Sequence, residues 1–481
     1  MSGRVENLLF RFAAKRRAPS DPPPLLVELL DEVPDALEGT YSSYPFRYRA
    51  SGEGVGTYSI GCELDQAEVS RLRSVVESAS RELDPASVSP LTFGRLIEVL
   101  SQQAAVKLAG GWSRARVNPL SELVAYEAVG MSRILALARD CHVTEFFADS
   151  DSSPVYVDHD LIGRCETRII LTGREREAVE THLDTFRGYS LDYRTPSMKN
   201  DMEVSGARLR VSLDLGPVSV NRFSLDVRRL NISSLGLEEL VERGVLTWAA
   251  GALLVGWLES GGNVTIVGET GTGKTTLLNA LDEQVEPKLR RVYVEDAVET
   301  RDLLGKGFHQ MKVKVDPFER GEQTGRKKEA EIVKALHRSP DILVLSEIQS
   351  EEHSRAFFHA LSAGAKGLQT FHASTLEQAL RRWNVVHHIP KESLLDLGVL
   401  VQMTRPQRLR PERFVQRVCQ VVEQDGEPVL MDLSVRDDSF RLIPGKDVAR
   451  LSPPRGVTPT VMASKMEEVR ARIISDPNHA S

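Results

Sequence analysis

The sequence predicts an α/β fold organised on a mostly parallel sheet, and three observations carry the prediction. The segment Val264-Thr265-Ile266-Val267 is short, apolar and β-branched, as a buried strand should be, and it runs directly into a glycine-rich turn. The run Asp341-Ile342-Leu343-Val344-Leu345-Ser346-Glu347 holds four consecutive aliphatics, which suit a central parallel strand covered on both faces. Strand-like and helix-like segments alternate beyond Leu237, whereas the chain before it mixes short strands and helices as an α+β unit does.

With 481 residues the chain exceeds a single core, and its length suggests about three domains. Near the start, Val5, Leu8, Leu9 and Phe12 recur at helical spacing while Arg4, Arg11 and Lys15 take another face. Such a helix either packs on its own domain or docks on a membrane surface or a membrane-embedded partner. Residues 19–24 carry four prolines and read as a linker. Strands are expected over 41–62, with a turn at Ser51-Gly52-Glu53-Gly54, and amphipathic helices over 66–83 and 91–109. Gly110-Gly111 closes this first unit, an N-terminal α+β domain over 1–115. A second α+β domain, 120–230, opens on a helix over 123–138. Strands follow near 143–147, 155–157 and 167–171, then a charged helix over 174–186 and strands near 209–213 and 223–227. The main α/β domain, 236–435, begins with a helix over 237–243. Residues 436–481 turn polar and proline-containing, and their one helix, 463–474, is expected to be a peripheral tail.

Composition narrows the function classes. Apolar content of 41% and charged content of 27% are ordinary for a soluble globular protein. A net charge of −7 argues against a protein whose main partner is a long stretch of nucleic acid. Cys62, Cys141, Cys165 and Cys419 are dispersed, so they form neither a disulfide framework nor a zinc site. No apolar run approaches the ~20 residues of a membrane span, and the basic start lacks a signal-peptide core. The expectation is a soluble, cytoplasmic protein without a transmembrane segment.

The turn after the first strand reads Gly268-Glu269-Thr270-Gly271-Thr272-Gly273-Lys274-Thr275-Thr276, a complete phosphate-binding loop with a strand before it and a helix after it. Its glycines let the backbone wrap a β-phosphate, and its N–H groups join the helix N-terminus in facing negative charge. Lys274 is placed to reach the β- and γ-phosphates, and the Thr275 hydroxyl to bind Mg²⁺. Three further clusters follow. Val292-Tyr293-Val294-Glu295-Asp296-Ala297-Val298-Glu299 is a strand ending in carboxylates, at the strand end where an α/β sheet binds ligands. Glu295 or Glu299 can there orient a water or hold Mg²⁺, although an ordinary acidic loop reads the same. The aliphatic strand ends on Glu347, a Mg²⁺ and water partner or the cap of the next helix. Gly367-Leu368-Gln369-Thr370-Phe371-His372-Ala373 is another strand end, and its His372 is a phosphate donor or a structural histidine.

In that order the clusters resemble the secretion and pilus-assembly ATPases of the type II/type IV superfamily, nearest in form to archaeal members. Glu295-Asp296-x-x-Glu299 matches the family's Asp box, Glu347-Ile348 its Walker B strand, and Thr370-Phe371-His372-Ala373 its His box. The likeness covers about 120–425 and implies a RecA-like P-loop motor domain, preceded by a PAS-like α+β domain and a further N-terminal domain. It implies Mg²⁺-dependent ATP hydrolysis, with Glu295, Glu299, Glu347 and His372 at the site. In this family the PAS-like domain supplies arginines to the nucleotide, often that of a neighbouring subunit. Arg228 in Val227-Arg228-Arg229-Leu230, and Arg208 in Ala207-Arg208-Leu209, match those segments, with Arg222 a weaker candidate. A solvated strand-edge charge is the alternative for each.

The resemblance further implies a homo-oligomeric ring, a hexamer, held at the inner face of the membrane by a polytopic platform protein. Nucleotide-driven hinging at 231–235 would power assembly of a pilus-like filament or secretion. The runner-up reading is a DNA-translocating or conjugation-type motor, kept open by the basic runs Arg326-Lys327-Lys328 and 405–413, although no stable nucleic acid is expected. A nucleotide-bound scaffold without turnover is the third. Three departures from the family pattern bear on how a subunit interface would sense nucleotide: Walker B reads Ser346-Glu347-Ile348-Gln349 where the family has Gly-Glu-Ile-Arg, the bacterial Arg-x-Arg-Pro-Asp segment appears as His337-Arg338-Ser339-Pro340-Asp341, and Gly364-Ala365 stands before the His box where the family has Gly-His.

Overall fold

The computed structural model describes residues 30–31, 33, 38–52, 55–81, 92–187, 196–230, 235–315, 327–405, 412–437, 441–446 and 448–475. The expected N-terminal helix, the proline linker, Arg326 and most of the expected hinge lie outside these residues. The chain divides into two compact units, one up to Ile232 and one from Ser233.

The first unit begins with β1 (Thr40–Ser43), β2 (Phe46–Ser51) and β3 (Gly56–Cys62), followed by α1 (Gln66–Arg81) and α2 (Phe93–Leu108). Next come α3 (Arg114–Val129), α4 (Ser132–Arg139), β4 (Val143–Ala148), β5 (Pro154–His159), β6 (Gly163–Ile170) and α5 (Gly173–Arg187). It ends with β7 (Ser197–Val204), β8 (Ala207–Leu215) and β9 (Phe223–Arg229). Among the described residues these strands form one nine-stranded sheet, ordered β1-β2-β3-β6-β5-β4-β9-β8-β7. One side chain in two faces the core, as in β2, where Phe46, Tyr48 and Ala50 are buried between half-exposed neighbours.

The domain boundary expected at 115 has no counterpart in this sheet. Strand β3 pairs in parallel with β6 (Gly56↔Cys165, Thr57↔Glu166), and one hydrophobic core runs from Phe46 through Leu120 and Tyr126 to Val227. The single helix expected over 123–138 is two. Gly130 takes the left-handed conformation (φ +73) and ends α3, as glycine does most cheaply. His182 of α5 then hydrogen-bonds the Val129 carbonyl at 3.0 Å, one of the carbonyls a helix C-terminus leaves unmatched.

The second unit opens with α6 (Leu237–Glu242), α7 (Trp248–Glu259), β10 (Val264–Val267), α8 (Lys274–Gln284), β11 (Arg291–Glu295) and β12 (Gln310–Lys314). Then follow α9 (Lys328–Ala335), β13 (Ile342–Ile348), α10 (Glu351–Ser362), β14 (Gly367–Phe371), α11 (Leu376–Arg381) and β15 (Val399–Thr404). The chain closes with β16 (Phe414–Gln424), β17 (Glu427–Arg436), β18 (Leu442–Pro444) and α12 (Pro459–Ser475). The sheet order is β12-β11-β13-β14-β10-β15-β16-β17-β18. The first six pair in parallel and the last three join antiparallel, so the sheet is mixed with a parallel centre.

Alternate residues of β13 explain its continuous apolar run. Ile342 and Val344 enter one core with Leu277 and Leu281 of α8, and Leu343 and Leu345 enter another with Phe357 of α10. Both faces are covered, as the four aliphatics predict. The expected peripheral tail is instead integrated. Met462, Val469 and Ile473 of α12 are buried in the first of these cores, and Lys465 and Arg472 both reach the buried Glu259 of α7. A sparse apolar stripe was enough because α7 supplies both the apolar groove and the carboxylate.

Candidate functional site

The carboxyl ends of β10, β11, β13 and β14 meet at one end of the parallel sheet, where crevices form in α/β folds. Strand β10 leaves the sheet after Gly268, whose N–H donates to the Phe371 carbonyl of β14 at 3.3 Å. A side chain is impossible at Gly268 without movement, since a Cβ would stand 2.5 Å from Thr272 Oγ1 and 2.8 Å from the Met403 carbonyl. Gly271 and Gly273 adopt positive φ (+76° and +89°), and Thr272 Oγ1 closes the turn on the Glu269 carbonyl at 2.8 Å. Helix α8 starts at Lys274, so its first N–H groups face the loop's concavity.

Two chains of contacts leave this loop. Along one, Thr275 Oγ1 donates to Glu299 Oε2 at 2.9 Å, while the Glu299 carbonyl accepts from Asn279 Nδ2 of α8 at 3.0 Å. Glu295 organises this turn from behind. It is 1% exposed and accepts from the N–H groups of Glu299 (3.1 Å) and Thr300 (3.0 Å) and from Thr300 Oγ1 (2.7 Å). Burial raises its pKa, against the lowering effect of the Thr300 bonds and the Lys312 charge. Both Glu295 oxygens are committed to the backbone turn.

Along the other, Lys274 Nζ donates to the carbonyls of Gly268 (2.9 Å) and Glu269 (2.8 Å) and meets His372 Nδ1 at 3.3 Å. The opposite ring nitrogen, Nε2, pairs with Glu347 Oε1. Burial works to raise the Glu347 pKa, but the His372 bond and charge and the Gln349 amide outweigh it and bring it down to about 2.

Glu347 sits on a β-bulge. The β13–β14 register jumps between Leu345↔Gln369 and Ile348↔Phe371, as bulges beside functional sites re-aim a side chain. The Ser346 carbonyl freed there accepts from Thr370 Oγ1, and the Glu347 carbonyl accepts from Lys328 Nζ at 2.6 Å. The residues that depart from the Walker B pattern are both engaged. Ser346 is buried, and the Gln349 amide donates to Glu347 Oε2.

The structure therefore brings together Lys274, Thr275, Glu295, Glu299, Glu347 and His372. Arg208 and Arg228 belong to the other unit, on the less buried face of β8 and β9. Arg228 lies opposite Glu145 and Arg210 in the ladder, and Arg208 is 3.9 Å from Glu203. Arg222 is exposed in a turn, with φ +67.

Two contributors escape a sequence reading. Arg382 donates to the carbonyls of His372 (2.7 Å) and Gln349 (3.1 Å) and lies over the Phe371 ring, tying two loops of the site together. Lys328, counted above in a basic run, is 3% exposed and pairs with Asp296 at 3.2 Å. It is no part of a surface patch.

A second titratable cluster lies in the first unit, where ligand atoms of His142, His159 and Asp160 fall within 4.8 Å of one another. Its chemistry is that of a hydrogen-bond network. His159 Nδ1 accepts from the N–H groups of Leu161 (3.2 Å) and Ile162 (3.3 Å), which aim positive charge at the lone pair a metal requires. His159 Nε2 meets the Tyr41 hydroxyl at 3.0 Å, and that hydroxyl, like that of Tyr58, donates to Asp140 Oδ2 at 2.6 Å.

Comparison with known proteins bears on the second unit above all. The family model described as "Type II/IV secretion system protein" matches residues 190–424. An uncharacterized Methanocaldococcus jannaschii protein, MJ1287, is 31% identical over 206 residues, 41% of this chain and 72% of that one. The chain belongs to the type II/IV secretion system protein family. Another relative is the type IV secretion system protein PtlH of Bordetella pertussis, 28% identical over 187 residues, 36% of this chain and 52% of that one. Among solved structures, the ATPase DotB of Legionella pneumophila aligns with 71% of this chain and 88% of its own, at 17% identity and a TM-score of 0.41. No helix among the described residues is long and apolar enough to cross a membrane.

Proposed function

We propose that this chain is a Mg²⁺-dependent ATP hydrolase that powers secretion or assembly of a pilus-like filament. The observation that carries the proposal is the contact chain from Lys274 through His372 to Glu347, with Thr275 and Glu299 on its flank. It joins a phosphate loop to a carboxylate suited to orienting water. The loop N–H groups and Lys274 would hold the β- and γ-phosphates. Thr275, Glu299 and Glu347 offer hard oxygen donors of the kind Mg²⁺ takes, and the ion would neutralise charge on the transferring phosphoryl. Glu347, ionised and held by His372 and Gln349, orients the attacking water. Glu295 acts as a positioning carboxylate, since its oxygens are spent on the turn that presents Glu299.

Arg228, with Arg208 second, completes the site from the first unit of the same chain or of a neighbour in a hexameric ring. Family membership supports the ring and a membrane platform partner that receives the motion. The conjugation-type reading loses support from one basic run, because Lys328 is buried in the site. The deciding test is Lys274→Ala. It should abolish Mg²⁺-dependent ATP hydrolysis while circular dichroism stays unchanged, and undiminished hydrolysis would refute the assignment.

A further inference from the structure

We infer that Lys328 is a positioning residue for the proposed hydrolysis, holding open the bulge that aims Glu347; this rests on the ATPase reading above. The argument starts from a conflict of local rules. Lys328 is the first residue of α9, where the helix dipole disfavours a cation, and it is buried, where a charge is costly unless paired. Neither placement suits a lysine serving only solubility or helix stability. Violations of this kind gather where function demands them.

The strand register shows the demand. Strands β11 and β13 pair through Val294↔Leu345 and then part. Past that rung the chain leaving β11 carries Asp296, while β13 bulges at Ser346 and Glu347. A bulge leaves carbonyls without ladder partners, and a buried carbonyl left unpaired is destabilising. Thr370 satisfies the Ser346 carbonyl from the β14 side. On the β11 side Lys328 spans the gap, with its ammonium on the Glu347 carbonyl at 2.6 Å and on Asp296 Oδ1 at 3.2 Å. One cation thus clamps the diverging ends of two strands and fixes the backbone from which the Glu347 carboxylate reaches His372. A neutral side chain would lose the ion pair, and the bulge would be free to relax towards a regular rung that turns Glu347 away from its partner.

The experiment is a double-mutant cycle between Lys328→Met and Glu347→Gln, read by ATP turnover and by equilibrium binding of a fluorescent ATP analogue. A residue acting through Glu347 loses its effect once Glu347 has been disabled. Lys328→Met should lower kcat by about 10-fold or more in the native background and by less than about twofold in the Glu347→Gln background. ATP affinity should stay within about threefold throughout. If Lys328→Met alone fails to fold because Asp296 loses the ammonium, Lys328→Met with Asp296→Asn removes both charges and enters the cycle instead. Equal losses in both backgrounds, or a loss of affinity in place of turnover, would make Lys328 an ion-pair partner only and overturn the inference. Absence of turnover in the unsubstituted chain would overturn the ATPase reading and this role with it.

Discussion

The break between α3 and α4 makes the first unit sensitive to acid in a way that can be worked out. His182 is 2% exposed, packs on the Phe93 ring at 5.2 Å and bonds the Val129 carbonyl through Nε2. Burial pushes its pKa down to about 4, against the smaller raising effect of that carbonyl bond, from an unfolded value of about 6.5. The sign follows from proton uptake: below pH 6.5 the unfolded chain binds a proton that the folded chain refuses until about pH 4. Stability is fully present above the unfolded value and drains away as the pH falls towards the folded one. At pH 5 the loss is about 2 kcal/mol, rising to about 3 kcal/mol below pH 4. For a unit of this size that is about 4–8 °C of melting temperature at pH 5.

The assay is thermal unfolding of the whole chain from pH 7.5 to 5, followed by near-ultraviolet dichroism, for the native sequence and for His182→Gln. Glutamine keeps an N–H for Val129 but does not titrate in this range, so the variant should start less stable and lose about 2 kcal/mol less on acidification. Other buried histidines titrate alike in both proteins and cancel in the difference. The same acid slope in the variant would refute the reasoning.

Two further outcomes concern the site. Glu347→Gln should retain ATP and cut turnover by about 10²-fold, the scale of a lost acid–base or water-orienting group; loss of ATP binding in a filter assay would contradict that role. Arg228→Ala should leave affinity intact and lower turnover by up to about 10³, as for an arginine finger. Mixing it with Lys274→Ala protein in exchanging rings should restore activity if the arginine crosses subunits, and full activity of Arg228→Ala alone would remove it from the mechanism.

What the sequence reveals and conceals follows the range of the interactions involved. The loop from Gly268 to Thr275 and the strand ending at Glu347 are legible because strand, turn and helix succeed one another within about 15 residues of chain. Strand β7 (Ser197–Val204) escapes a hydrophobic-pattern reading because Lys199, Asn200, Asp201 and Glu203 fill a strand that, among the described residues, lies at the sheet edge and pairs with β8. The α3–α4 break hangs on one glycine in an otherwise helical stretch. Lys328 looks like one of a run of surface cations because its partners, Asp296 and Glu347, lie 32 and 19 residues away. Nothing local marks it except its place at the start of a helix. The expected boundary at 115 fails for the same reason, since the pairing of Gly56 with Cys165 spans more than a hundred residues.

That long-range pairing decides how the molecule can be dissected. A chain begun at residue 120 would strip β3 from one edge of β6 and leave Asp140, itself buried, without the hydroxyls of Tyr41 and Tyr58. The exposed rung of β6 would offer its N–H and C=O groups to any extended peptide in solution, the usual start of precipitation on expression. Fragments meant for separate study should therefore be divided at the Ile232–Ser233 division, with the N-terminal hairpin kept on the first fragment.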